Sequence, residues 1–598
     1  MKQAIRYTIF PKDLAAHLFA VTVTVDAPDA AGQMFFLPAW IPGSYMIREF
    51  ARHVVRISAR CADAEVALDK RDKHSWQAAP CDGPLILQYE VYAWDLSVRA
   101  AHLDQTHGFF NGTSVFVCVR GQEHLPHVVD IRQGSDAACA TWRVATALPR
   151  LKAKRYGFGL YAAANYDELI DHPVETGNFA LATFQAHGVP HDIVITGRVP
   201  NLYLARLCAD LQKICEAQIA LFEPKTRQAP MERYVFMTLA VGDGYGGLEH
   251  RASTALICAR ADLPVKGQTV ASDGYRTYLG LCSHEYFHTW NVKRIKPAAF
   301  APYRLEAETY TSLLWLFEGF TSYYDDLMLL RSGVIDQPTY LSLLAKTINI
   351  VLRGSGRTRQ SVAESSFDAW VKYYRQDENA PNAVVSYYTK GSLVALALDL
   401  TIREGSGGKR SLDDVMRALW ARYGRDFYSA DGGGRGVTDA DVEDLFEEIS
   451  GLKLKRLLAR WVRGTDDLPL AKLLAPFAVT LSDDRSDAKP SLNVRTVRDG
   501  ADCRLANVHE GGPAHRAGLS ANDLLVAIDG LRVSATNLDV LLARYRNGDT
   551  IAVHAFRRDE LMQFSVKLAP DAAPKTVLAM ESKPAVALKL RAAWLKPE

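Results

Sequence analysis

The stretch HEYFHTWNVKRIKP, His284 to Pro297, sets two histidines four residues apart with a glutamate directly after the first. On a helix, residues i and i+4 lie one turn apart on the same face, so His284 and His288 can aim their imidazoles at one point while Glu285 projects beside them. The spacing predicts a helix that carries zinc. A catalytic zinc takes three protein ligands and keeps one position for water, so the chain has to supply one more donor.

Two familiar extensions of the motif do not supply it. HExxHxxGxxH fails because Asn291 and Arg294 stand where its glycine and third histidine belong. A glutamate nineteen positions after the second histidine, the thermolysin-like spacing, fails because that position is Ala307. Five acids follow: Glu306, Glu308, Glu318, Asp325 and Asp326. Glu306 and Glu308 sit in the polar run RLEAET, where a solvated charge costs nothing, whereas Glu318 is set in LLWLFEGF. A carboxylate desolvated there costs on the order of several kcal/mol unless a cation compensates it, and bound zinc is such a cation. Glu318, thirty positions after His288, is therefore the expected third ligand, against the plainer reading of a helix carboxylate turned to water. Asp325 and Asp326 read as a solvated acidic pair, with the alternative that one orients a ligand histidine.

Around this centre, 598 residues of which 48% are apolar can bury several cores, which gives roughly three or four domains. Seventy basic and sixty-eight acidic side chains leave a net charge of +2. That balance points to neither nucleic acid nor an anionic membrane as partner. Nine cysteines, scattered without CxxC pairs, suggest neither a disulfide framework nor a cysteine zinc site, and favour a reducing compartment. A cytoplasmic location is expected, with the periplasm as alternative. Lys2 and Arg6 precede the apolar run LAAHLFAVTVTV, but Phe19, Val21, Val23 and Val25 alternate as in a strand, so this run is read as the first core strand. No apolar run reaches the roughly 18 residues a membrane helix needs.

Residues 1–195 read as an all-β domain, with LILQYEVYAW placing Leu85, Leu87, Tyr89 and Val91 on one face and TSVFVCVRG and DIVITGR as later strands. Helical spacing takes over at Leu204, Leu207, Cys208, Leu211, Ile214 and Cys215 and persists to about 470. Ser411 with Asp414 and Thr438 with Asp441 form capping-box variants. From 471 to 575 the pattern is β again, and 576–598 is a tail.

GGPAHRAGLSANDLLVAIDG, Gly511 to Gly530, resembles the corresponding segment of PDZ domains. HEYFHTWNVKRIKP followed by LWLFEGFTSYYDD resembles the glycyl aminopeptidase family, the PDZ-bearing gluzincin metallopeptidases, and LPAWIPGSYMIREFARH strengthens the match. The resemblance implies a multidomain α+β chain: an all-β domain at 1–195, a thermolysin-like, mainly helical peptidase domain at 196–470 and a PDZ-like domain at 471–575. It implies one zinc ion held by His284, His288 and Glu318, with Glu285 as the catalytic carboxylate and peptides with a free amino terminus as substrates, glycine or alanine first. A more distant likeness to the aminopeptidase N family rests on GGLEH, Gly246 to His250, and on YYTKG. It implies that Glu249 holds the substrate amine beside Gly246 and Gly247, and that Tyr388 contacts the transition-state oxygen, with Tyr387 one residue away as the alternative. His250 stands where that family has asparagine, and Tyr245 and Arg251 have no assigned role. Lys293, Arg294 and Lys296 read as complements to the helix dipole rather than as substrate contacts. The PDZ-like domain either captures a peptide terminus by strand addition or serves as a packing or lid module. A zinc endopeptidase, or a scaffold that binds peptides without turnover, are the competing functions.

Overall fold

Period-two alternation builds the amino-terminal region as sheet. Phe19, Val21, Val23 and Val25 are at most 1% exposed along Leu18–Val25, and the strand Leu85–Tyr92 pairs with it, Leu85, Leu87, Tyr89 and Val91 pointing inward. The seven-stranded sheet they join begins with Ile5–Asp13, so LFAVTVTV is the second strand rather than the first. TSVFVCVRG is not one strand: Gly112–Val115 makes a helical turn and only Cys118–Val119 pairs. Val115, Phe116, Val117 and Cys118 are all buried, and a run buried on every side carries no periodicity from which to tell strand from helix.

The computed structural model describes residues 4–429, 434–485, 488–582 and 585–596. Its chain divides into two compact units, one of Met1–Thr309, Arg331–Val334 and Leu419–Val437, the other of Tyr310–Leu330, Ile335–Ala418 and Thr438–Glu598.

In the first unit, the β-rich region is followed by a five-stranded sheet in the order Ala180–Ala186, Val189–Thr196, Tyr234–Val241, Ser253–Ala259, Tyr245–His250. Because Val189–Thr196 runs parallel to Tyr234–Val241, this sheet starts ahead of the expected boundary at 195. Tyr245–His250 is its edge, antiparallel to Ser253–Ala259 with Glu249 opposite Thr254. Leu248 and Ala255 belong to the core of the amino-terminal strands, which fixes the edge from beneath. Two helices accompany the sheet: Leu204–Phe222, which buries Leu207, Leu211, Ile214 and Cys215, and Asp273–Phe287, capped by Ser272 accepting from the Tyr275 amide.

The second unit is mainly helical and includes Gly319–Arg331, Gln337–Arg353 and Thr389–Gly405. The Thr438–Asp441 box forms in full, and the Asp414 carboxylate accepts from the amide and hydroxyl of Ser411. In the same unit, the PDZ-like sheet runs Val494–Asp499, Asp502–Val508, Leu524–Ile528, Thr550–Arg557, Glu560–Lys567 over a core that includes Leu505, Ile528, Val553 and Val566. It is tied to the helical segments at Asn382, whose amide donates to the Val508 carbonyl at 2.9 Å and accepts from the Glu510 amide at 3.0 Å. The tail closes on the unit as well: Thr576–Met580 pairs with Val479–Asp483, and buried Trp594 donates to the Tyr323 hydroxyl at 3.0 Å. Among the described residues no helix is long and apolar enough to cross a membrane.

Candidate metal centre

The HExxH residues lie at the end of Asp273–Phe287, with His288 as its C-cap. What holds this turn is the residues between the motif positions. The Tyr286 hydroxyl meets His191 Nε2 at 2.9 Å, Phe287 packs on Phe222, and Trp290 stacks on Phe222 with ring centroids 4.8 Å apart. His284 and His288 are thereby left on the other face, their Nε2 atoms 3.1 Å apart. Two tetrahedral ligands at zinc distances stand about 3.3 Å apart, so the pair fits the ion. The Asn291 carbonyl accepts from His288 Nδ1 at 2.8 Å. A carbonyl only accepts, so Nδ1 keeps the proton and Nε2 presents its lone pair, the state a zinc ligand needs.

Two acids of the same unit converge here. Glu249, Glu285 and His288, all buried, each offer an atom within 4.8 Å of the others. Glycines explain how. A Cβ at Gly247 would stand 2.0 Å from Glu285 Oε1, so the edge strand and the helix approach closely only because position 247 lacks a side chain. A Cβ at Gly43 would stand 2.5 Å from both Glu249 oxygens, and Gly43 has a φ of +95°, a conformation that favours glycine. The IPGSY segment of the amino-terminal region thus lies against the carboxylate of GGLEH, a role the sequence reading did not give it. It also missed Arg99, which donates from Nη2 to the Gly247 carbonyl at 3.2 Å. If Glu285 is the catalytic carboxylate that the family resemblance implies, Gly247→Ala is expected to displace it, as the flexible member of that contact, and to lower kcat/KM about 100-fold with zinc content intact, because a shift of about 1 Å in a reacting group has that effect. Steady-state kinetics beside metal analysis reads this, and unimpaired turnover would show that Glu285 does not act from this position.

Beneath the edge strand lies a buried ionic cluster. Asp171 is reached by Lys293 Nζ at 2.6 Å, Arg251 Nε at 2.8 Å and His250 Nδ1 at 3.2 Å. Burial would raise the Asp171 carboxyl, but Lys293 and Arg251 hold it well below the usual range. Burial pushes His250 down to about 4 despite Asp171, so its imidazole is neutral at pH 7. Arg294 donates to the carbonyls of Arg251, Thr289 and Pro230, and Lys296 faces the rings of Tyr303, Phe427 and Tyr428. The basic run after HEYFH is therefore not a solvated complement to the helix dipole; it pins the end of the helix, and Arg251 gains its role in the same cluster.

In the second unit, Glu318 is 2% exposed at the break between Leu314–Phe317 and Gly319–Arg331. Asp325 and Asp326 are half-buried further along the second of these helices. A Cβ at Gly319 would stand 2.6 Å from Gly391 Cα and 2.9 Å from the Tyr387 carbonyl. The glycines of LWLFEGF and YYTKG are thus where these segments touch, which brings Glu318 beside the tyrosine pair. Tyr387 is sealed; burial first, with Tyr374 and Glu318 adding, lifts its hydroxyl well above the ordinary value. Tyr388 is half-buried, stacked on Tyr373 and 3.4 Å from the Tyr374 hydroxyl.

Family models match the chain in three places: the Peptidase M61 N-terminal domain over residues 6–178, M61 glycyl aminopeptidase over 277–394 and a PDZ domain over 490–568. A crystal structure described as an aminopeptidase N family protein from Idiomarina loihiensis is 41% identical, covers 99% of this chain and 100% of its own, and has a TM-score of 0.93. An M1 zinc metallopeptidase from Deinococcus radiodurans is 13% identical over 78% of this chain and 95% of its own, with a TM-score of 0.49. No curated protein matches.

Proposed function

The chain belongs to the M61 glycyl aminopeptidase family and is a zinc aminopeptidase acting on peptides, and from that premise we propose that it releases a small first residue, glycine or alanine, from peptides with a free amino terminus. One zinc per chain would be held by His284, His288 and Glu318. When bound, the ion makes water acidic near pH 7 and polarises the scissile carbonyl.

The residues of the chain do the rest. Glu285 takes a proton from the attacking water and returns it to the departing amine. Tyr388, a half-buried residue where Tyr387 is sealed, donates its hydroxyl to the oxygen that becomes negative. Glu249 binds the substrate ammonium by charge-assisted hydrogen bonds, and Gly246 and Gly247 offer edge-strand backbone to an extended peptide. The observation that carries this reading is the convergence of Glu249, Glu285 and His288 within 4.8 Å. An amine and the carbonyl carbon of its own residue are only about 2.5 Å apart, so an anchor this near the base admits a single residue before the cleaved bond.

The test pairs glycyl and alanyl chromogenic amides with their amino-acetylated forms. Chelator-sensitive cleavage of the free amines and none of the acetylated compounds is expected, whereas equal cleavage of both would make the enzyme an endopeptidase. Glu249→Ala should lower kcat/KM for free-amine substrates about 10- to 100-fold, the effect of losing a hydrogen bond to a charged group. An unchanged preference for the free amine would remove Glu249 from the anchor role.

A further inference from the structure

A second group of ligand-type side chains lies in the first unit, on the hairpin HLDQTH that joins the strands Ala101–Leu103 and His107–Phe110. His102, Asp104 and His107 each offer a donor atom within 4.8 Å of the others, and both imidazoles are at least nine-tenths buried. The turn divides the labour of Asp104. Oδ1 receives the Thr106 amide and hydroxyl and the His107 amide, while Oδ2 faces His102 Nε2 at 3.3 Å.

The surroundings match those of a metal-binding histidine. His107 Nδ1 lies 3.1 Å from Oε1 of buried Glu175, which also accepts from the Thr196 hydroxyl at 2.9 Å. An imidazole held by a carboxylate through one nitrogen turns the other outward as a lone pair, the usual arrangement behind a metal ligand. His102 turns Nε2 to Asp104, and its other nitrogen, Nδ1, is buried with no hydrogen-bond partner among the described residues. The two rings are stacked with centroids 5.0 Å apart, whereas those of His284 and His288, 4.7 Å apart, stand edge to face. Beside them is a cavity of about 20 Å³ whose polar lining is His102, His107, Glu175, Thr196, Thr238 and Ser97, enough for a single water or ion.

We propose that this hairpin is a second metal site, separate from the HExxH centre, which takes a zinc-class divalent cation on His102, Asp104 and His107 with Glu175 orienting His107. Two imidazoles and one carboxylate suit zinc, whereas calcium and magnesium call for oxygen donors throughout. The ion ties both strands of the hairpin to its turn, a structural role on the core of the amino-terminal strands. The rival arrangement is a protonated His107 paired with Glu175 and no ion.

The experiment strips the full chain with chelator, reloads it with Zn²⁺, removes the excess by gel filtration and counts zinc per chain by mass spectrometry. Two equivalents are expected in the wild type. His284→Ala/His288→Ala, which leaves the hairpin untouched, should keep one, and addition of His102→Ala to that variant should release it. His102→Ala/His107→Ala should also bind one and retain chelator-sensitive peptidase activity. One equivalent in the wild type with none in His284→Ala/His288→Ala overturns the proposal, as does a residual equivalent that survives His102→Ala. If the hairpin variants do not fold, the His284→Ala/His288→Ala count decides alone.

Discussion

Glu285→Gln is expected to lower kcat about 10²- to 10⁴-fold, the range that positioned general acid–base catalysis supplies, while zinc content stays at the wild-type level. Glutamine keeps the length and nearly the shape of glutamate, so the close approach of the Glu285 side chain to Gly247 survives the change. What is lost is the capacity to take a proton. A residue that served mainly to hold the ion would show the opposite pattern, with lost zinc and activity restored by added metal. Comparison with Gly247→Ala sharpens the point: there the carboxylate is present but displaced, in Glu285→Gln the position is kept and the chemistry removed. The measurement is single-turnover cleavage of an alanyl amide by protein of known zinc content. A kcat above about a tenth of wild type in fully loaded Glu285→Gln would assign the proton transfer to another group.

What the sequence makes legible here is what acts over short range. Four-residue spacing puts His284 and His288 on one face, and alternation picks out the inner residues of Leu18–Val25 and Leu85–Tyr92. The apolar company of Glu318 announces its burial. What stayed hidden depends on partners far along the chain. Lys293, Arg294 and Lys296 look like surface charge until Asp171, three carbonyls and an aromatic cluster are placed against them. Gly43, Gly247, Gly319 and Gly391 look like turn residues, yet each marks where one motif touches another. The signal was available in part: a glycine recurs inside IPGSY, GGLEH, FEGF and TKG, and close approach of backbone to a functional side chain is a standing reason for glycine. HLDQTH carries no such signal, because its histidines are five apart across a turn, a spacing that matches neither helical nor strand periodicity.

Glu318→Ala is expected to weaken zinc binding by more than about 100-fold and to abolish turnover at stoichiometric metal, since loss of an outer partner of a ligand already costs about 10- to 100-fold in affinity. The physical case is desolvation. Glu318 is 2% exposed, and Trp315, Leu316, Phe317 and Phe320 beside it are buried too, so an ionised carboxylate there needs a strong positive partner. Two neutral imidazoles cannot hold a dication as two imidazoles and a carboxylate can, and the negative charge contributes most where water is excluded. Because an ion that binds only the folded state stabilises it by about 2.7 kcal/mol at one hundred times Kd, wild-type protein should melt higher when zinc is added. To keep the hairpin site from masking the effect, the melting comparison is made on a His102→Ala/His107→Ala background, in which Glu318→Ala should abolish the zinc-dependent rise. If that rise persists undiminished and zinc remains at one equivalent, Glu318 is not a ligand, and Glu249, whose carboxylate already lies within 4.8 Å of His288, becomes the acid to test in its place.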